Sequence, residues 1–212
     1  MNSIADIRKD YKMKTLSEED VKKDPVAQFT AWWDEAIASE IDEVNAMTLA
    51  TVNEQGRPSA RIVLLKGIEE NGFEFFTNYE SRKGKEIETN EHAALVFFWK
   101  ELERQVRVEG TVIKAPESVS DEYFLSRPVK SRIGAWSSPQ SKVIPSRDVL
   151  DENVKTVEKK FEGKEVIRPS FWGGYVVKPE MIEFWQGRPG RLHDRIAYYL
   201  ENGEWVIRRL AP

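Results

Sequence analysis

Four short stretches of this sequence gather the side chains that can do chemistry, and all four are rich in cations. Arg61-Ile-Val-Leu-Leu-Lys66 sets a charge at each end of an apolar run. In a strand, residues 61, 63 and 65 share one face and 62, 64 and 66 the other, so Arg61 and Lys66 point apart unless a bulge or twist intervenes. An ordinary buried strand with snorkelling ends has the same pattern. Thr77-Asn-Tyr-Glu-Ser-Arg-Lys-Gly-Lys85 lies between a strand pattern and a helical one. Free N–H groups at a helix start, with Arg82 and Lys83 beside them, can cradle a phosphate; a solvated, charged helix start reads the same way. Tyr123-Phe-Leu-Ser-Arg127-Pro-Val-Lys-Ser131-Arg132 repeats hydroxyls and cations every fourth residue. A continuing helix would stack Tyr123, Arg127 and Ser131 on one face, but Pro128 interrupts it. Trp185-Gln-Gly-Arg-Pro-Gly-Arg191-Leu-His193-Asp-Arg195 crowds three arginines and a histidine into a Gly/Pro-bent loop, with Asp194 its only acid. Such crowding costs Coulomb energy that an anionic ligand relieves. Trp185, at the head of that loop, can pack against a planar ligand.

Other chemistries are poorly supplied. The chain has no cysteine and only two histidines, His92 and His193. Thiolate nucleophiles, disulfides, iron–sulfur clusters and cysteine zinc sites are therefore excluded, and no carboxylate spacing suggests a metal. Rossmann, P-loop, nucleophile-elbow and H-E-x-x-H signatures are absent. The 212 residues carry 32 Lys+Arg against 36 Asp+Glu, a formal charge of −4. That balance argues against a broad nucleic-acid surface. With 40% hydrophobic and 32% charged residues, the composition is that of one ordinary domain with a sizeable core. The longest apolar run, Ala93–Trp99, is far too short to span a membrane, and MNSIADIRKD carries no apolar leader. A cytoplasmic protein is expected.

The elements that must position these groups follow from periodicity. Residues 1–23 are charged and weakly periodic, and are expected to form a mobile arm ahead of a single domain over 24–212. Asp24-Pro25 is an N-cap followed by proline at the first helical position. Val26, Phe29, Trp33, Ala36, Ile37 and Ile41 then recur at helical spacing. A period of two marks strands at Ala46–Val52 and Ser59–Lys66 around a polar turn, with Asn71-Gly72 leading into another at Phe73–Thr77. Further strands are expected at Ala93–Trp99, Gln105–Ala115, Gly174–Lys178, Met181–Gln186, Arg195–Leu200 and Trp205–Leu210. Helical patterns occupy Ser81–Thr89, Pro116–Ser126 and Ser146–Phe161. Strands and helices do not alternate regularly, so the expected class is α+β: a mostly antiparallel barrel with peripheral helices.

Taken together, the segments resemble the pyridoxine/pyridoxamine 5′-phosphate oxidase family. The match is carried by RIVLLK (61–66), FTNYESRKG (76–84), LERQVRVEG (102–110), YFLSRP (123–128), SRIGAWSSPQS (131–141), PSFWGGY (169–175), IEFWQG (182–187), RLHDR (191–195) and RLAP (209–212), in family order. The resemblance implies an FMN-binding split β-barrel with FMN at a homodimer interface. It implies FMN contacts from Arg61, Lys66, Thr77, Arg82, Lys83 and Gln105 of one subunit and from Gln140, Ser141, Trp185 and Arg195 across the interface. Lys66, Tyr123, Arg127 and Ser131 match the groups that hold the substrate phosphate. Arg191 and His193 match residues against the substrate ring and, with Arg195, are the expected catalytic set. Arg8 and Tyr11 look like residues that cover bound substrate. Leu-Ser-Glu-Glu-Asp (16–20) stands where the family often has a basic cluster, a departure that bears on the arm and not on the core activity.

The implied reaction moves a hydride from C4′ of pyridoxine 5′-phosphate or pyridoxamine 5′-phosphate to flavin N5. Dioxygen then takes the electrons as hydrogen peroxide, and pyridoxal 5′-phosphate is the product. No metal is required, and neither nucleic acid nor membrane is an expected partner. Two other readings keep parts of this picture: a split-barrel flavin reductase for another substrate, and a non-catalytic pyridoxal phosphate-binding protein.

Overall fold

The computed structural model describes residues 4, 10–69 and 72–212; Arg8 and Asn71 lie outside the described residues. Helix α1 (Pro25–Ala38) begins where the cap signal placed it, with the Asp24 side chain accepting from the Ala27 N–H at 2.7 Å. Its buried face is rotated from the expected one. Phe29, Trp32 and Ala36 are buried, whereas Ile37 is exposed. The Arg104 guanidinium, 4.1 Å from the Trp32 ring centroid, covers that indole.

Among the described residues nine strands form one antiparallel sheet: β1 (Ala46–Val52), β2 (Pro58–Leu64), β3 (Gly67–Glu69), β4 (Gly72–Asn78), β5 (His92–Trp99), β6 (Arg104–Lys114), β7 (Trp172–Gln186), β8 (Asp194–Glu201) and β9 (Glu204–Arg209). The order is β2-β1-β5-β6-β7-β4-β3, with β8 on β7 and β9 on β8. The two strands expected at 174–178 and 181–186 are one strand, β7, because a register shift opposite Glu109 and Gly110 absorbs Pro179 without ending the ladder. Gly110 permits this: a Cβ there would lie 1.9 Å from the Lys178 carbonyl oxygen. One edge of β7 pairs with β6 along its length. The other is divided between β4 (residues 172–177) and β8 (181–186). This division splits the sheet into the curled form on which the site is built.

The helices α2 (Arg82–Thr89), α3 (Glu117–Ser126) and α5 (Asp148–Lys160) agree with the periodicity, while α4 (Val129–Ser137) was not anticipated. Pro128 stops α3 and, with its fixed φ, caps α4. The main core packs Phe29, Trp32, Phe73, Phe75, Phe97, Trp99 and Phe184 inside the sheet. A smaller cluster, Phe124, Val166 and Trp172, joins α3 and α4 to β7. Residues 10–23, expected as a mobile arm, lie against the barrel: Leu16 is buried, and the Tyr198 hydroxyl donates to the Lys22 carbonyl at 2.7 Å. Among the described residues no helix is long and apolar enough to cross a membrane.

Candidate functional site

The strand of Arg61 ends two residues before Lys66, and that break resolves the facing problem. After Leu64 the chain leaves the β1–β2 ladder. The Leu65 N–H bonds the Asn45 carbonyl, and the Lys66 N–H the Glu74 carbonyl on β4. The twist between the ladders lets Arg61 and Lys66 line one cavity of about 670 Å³. Thr77, Lys83, Tyr123, Arg127, Ser131 and Gln140 line it too. Eight of the residues singled out from the sequence are thus brought together from β2 and the link after it, β4, α2, α3 and the link after it, α4 and the loop after α4.

The cavity has two cationic ends, the second of them walled by aromatic rings. At one end, Lys83 Nζ donates to Thr77 Oγ1 at 3.0 Å and to Gln140 Oε1 at 3.4 Å. Arg61 donates to Thr51 Oγ1 at 2.6 Å and stands 3.2 Å from Glu86 Oε2. At the other end, Lys66 Nζ lies 5.9 Å from the Tyr123 ring centroid, and the Arg127 guanidinium 4.7 Å from that of Trp172. Between them Phe76 stacks on Tyr123 at 4.0 Å and on Trp172 at 5.6 Å. Among the described residues Arg127 Nη1 is buried without a hydrogen-bond partner, a costly state for a charged donor unless a ligand supplies an acceptor.

The titratable groups carry the mark of the same crowding. Burial, reinforced by the charge of Arg61, pushes the Lys83 ammonium down to about 8. Burial likewise lowers Arg127. Glu86 is the reverse case. Burial would raise its carboxyl, but hydrogen bonds from Ser59, Thr51 and Arg82 hold it at about 2. One buried carboxylate therefore anchors the two arginines from opposite sides, with Arg82 Nε on Oε1 at 2.8 Å. Sequence reading missed Glu86, although its place four residues after Arg82 is the spacing of a helical ion pair.

The remaining expected residues sit elsewhere in the chain. Arg82 and Ser141 line a neighbouring cavity of about 420 Å³ that shares Gln140 with the first. Of Gln140 and Ser141, both expected from a second subunit, Gln140 reaches Thr77 and Lys83 of its own chain, and Ser141 lies beside it on the cavity that Arg82 lines. Gln105, Trp185 and Arg195 form a cross-strand row on β6, β7 and β8 outside the large cavity. Arg195 is held side-on by Glu183, with Nε–Oε1 at 2.8 Å and Nη2–Oε2 at 3.0 Å, and its Nη1 donates to the Ala211 carbonyl. The Glu183 hydrogen bond raises the Arg195 pKa.

His193 lies 4.5 Å from Trp185, ring centroid to ring centroid, and its Nδ1 accepts the Arg188 N–H at 3.1 Å. Burial, then the charge of Arg191, lowers its pKa. Arg191 is exposed in a 3-10 turn, Pro189–Arg191, with φ of 63°. Tyr11 meets Trp185 and His193 edge-on at 5.7 and 5.9 Å.

Residues 33–161 match the family model described as pyridoxamine 5′-phosphate oxidase, and residues 172–212 match its C-terminal dimerisation region. The chain is 54% identical over 210 residues to the pyridoxine/pyridoxamine 5′-phosphate oxidase of Cyanothece sp., covering 99% of each. It is 55% identical to that of Salinibacter ruber, covering all of both chains. Among solved structures, PhzG from Burkholderia lata, in complex with tetrahydrophenazine-1-carboxylic acid, superposes with a TM-score of 0.88 at 27% identity, covering 94% of this chain and 99% of that one. A pyridoxamine 5′-phosphate oxidase-related FMN-binding protein from Nostoc punctiforme shares the fold, with a TM-score of 0.70 at 18% identity, covering 91% of this chain and all of the other. Full-length identity above half and two consecutive family matches place this chain in the pyridoxamine 5′-phosphate oxidase family.

Proposed function

We propose that this protein oxidises pyridoxine 5′-phosphate and pyridoxamine 5′-phosphate to pyridoxal 5′-phosphate, using FMN as cofactor and dioxygen as final acceptor. The observation that carries the reading is the buried Arg127 Nη1, without a partner among the described residues, at one end of a cavity whose other end holds a desolvated Lys83. Two phosphate monoesters, each bringing about −1.5 to −2 charge, fit two such ends.

The donor set suits FMN. Arg61, Thr77, Arg82, Lys83, Gln140 and Ser141 would hold its phosphate and ribityl chain, with Lys66 between the two ligands. Trp185 and Arg195 of a second copy would close over the ring system in a homodimer, and Gln105, expected from the same subunit as Arg61, would come with them because it shares their cross-strand row. Bound FMN supplies the acceptor for the hydride leaving the substrate's C4′, and dioxygen receives the electrons as hydrogen peroxide. Lys66, Tyr123, Arg127 and Ser131 bind the substrate phosphate and so fix where C4′ lies. With Nδ1 occupied as an acceptor, neutral His193 carries its proton on Nε2, which makes it a hydrogen-bond donor to the pyridine substituents and not a base. Arg191 lies against the ring, and Tyr11 covers it. Glu183 and the Ala211 carbonyl orient Arg195, which keeps N–H groups free for the cofactor.

The test is to mix protein and FMN with either phosphate ester in air. Pyridoxal 5′-phosphate and equimolar peroxide are expected, with no turnover of unphosphorylated pyridoxine. Bound FMN without oxidation of either ester would favour the reductase or binding-protein reading.

A further inference from the structure

Asp194 is the single acid of the cationic loop, and the assigned roles leave it unused. Its two oxygens face two different things. Oδ1 accepts from Arg209 Nη1 at 3.0 Å, and Oδ2 accepts the backbone N–H of Leu16 at 3.1 Å, with Arg188 Nε of the same loop 3.6 Å from that oxygen. Arg209, near the end of β9, holds the same stretch of arm by its other edge. Its Nε and Nη2 bind Glu18 Oε1 and Oε2 at 2.9 and 2.7 Å, and Nη2 reaches the Leu16 carbonyl at 3.2 Å. Residues 16–18 are thus clasped on both backbone and side chain. Upstream, Glu103 Oε2 accepts the N–H groups of Lys12 and Met13 at 2.8 and 3.1 Å. Between these anchors and the site lies Tyr11, seated on Gly187, where a Cβ would come within 2.7 Å of its ring.

We propose that Asp194 and Arg209 are positioning residues: they clasp residues 16–18, and through that clasp they set Tyr11 and the adjacent His193 in the substrate site. The coupling follows from connectivity. Asp194 is bonded in sequence to His193 and Arg195, so the atoms that hold the arm also hold the loop, and ordering either one favours the other. A bidentate arginine pair with further backbone bonds is a geometry in which a partly exposed ion pair contributes to stability, unlike an isolated surface pair. The proposal rests on the oxidase reading for its kinetic half only.

The experiment uses the FMN-loaded full chain and three variants: Arg209→Met, Arg209→Lys and Glu18→Gln. Two quantities are read: the rate of tryptic cleavage at Lys12 and Lys14, and KM and kcat for pyridoxine 5′-phosphate. Arg209→Met should raise both the cleavage rate and KM by about tenfold, the scale of a lost charge-assisted bond, with kcat and FMN affinity kept. Arg209→Lys should recover part of both effects, and Glu18→Gln should move both in the same direction by less. Faster cleavage with unchanged KM, a raised KM with unchanged cleavage, or a variant that alters neither would each overturn the proposal. If the wild type binds FMN but oxidises neither ester, the oxidase reading fails by itself, and a cleavage rate unmoved by Arg209→Met would still overturn the clasp.

Discussion

The Arg61 guanidinium and the buried Glu86 carboxylate stand 3.2 Å apart, joined through Thr51 and Ser59, with Arg82 on the carboxylate's far oxygen. A single acid holds two arginines that would otherwise repel each other. Charge removal and truncation at position 86 should therefore differ. Glu86→Ala leaves Arg61 without its buried counter-ion and should cost about 3–5 kcal/mol of stability, whereas Glu86→Gln keeps the shape and should cost less. Urea unfolding of the two variants checks the order.

The same carboxylate gives an acid dependence. Its folded-state pKa, about 2, lies below the ordinary 4.5. Its stabilising contribution is present above 4.5 and is lost as pH falls towards 2, because the unfolded chain takes up the proton first. The stability difference between wild type and Glu86→Gln should shrink across that interval. A difference that stays constant from pH 6 to the acid limit would count against the network.

Lys83 sets a dependence in the alkaline range. Its pKa in the protein, about 8, lies below the ordinary 10.5, so the unfolded chain binds the extra proton between those values. The cost of holding a buried cation is full below 8 and is relieved as pH rises to 10.5. A phosphate needs the cation. FMN affinity should therefore fall above pH 8 by up to about tenfold per unit. Lys83→Met should remove that slope and weaken binding by about 1.5–3 kcal/mol, as fluorescence titration of FMN would show.

Much of this molecule is legible in its sequence, and the exceptions have physical reasons. Alternation marks β1, β2, β5 and β6, and the Asp24-Pro25 cap marks α1, because those signals are local. The join within β7 is not local: Pro179 looks like a break until Gly110 on the neighbouring strand makes room. Pro128 likewise hides α4, since a residue that ends one helix can also begin the next. The cavity itself depends on the ladder change after Leu64, which brings Arg61 and Lys66 to one side against the strand alternation. No one-dimensional pattern states that. Glu86 was within reach through its spacing from Arg82, but its burial under Thr51 and Ser59 was not.

Arg127 separates function from stability. Its Nη1 is buried with no partner among the described residues while the guanidinium rests on Trp172. Arg127→Met keeps the packing and removes an unsatisfied charge, so melting temperature should hold or rise. KM for the phosphate ester should rise by about 10- to 100-fold, the equivalent of about 1.5–3 kcal/mol for a hydrogen bond to a charged group. A lower melting temperature with unchanged KM would assign Arg127 to the fold alone.

Gly84 tests the helix start by steric means. A Cβ there would lie 2.1 Å from the Tyr79 carbonyl oxygen, and backbone must move to admit it. Gly84→Ala should displace Ser81, Arg82 and Lys83 together, costing about 1–3 kcal/mol of stability and weakening FMN binding more than substrate binding.

The most direct measurement of the central claim is anaerobic. Protein loaded with FMN should lose its visible flavin bands on adding pyridoxine 5′-phosphate, keep them with unphosphorylated pyridoxine, and regain them when air is admitted. A loaded protein whose bands persist with both phosphate esters would contradict the account.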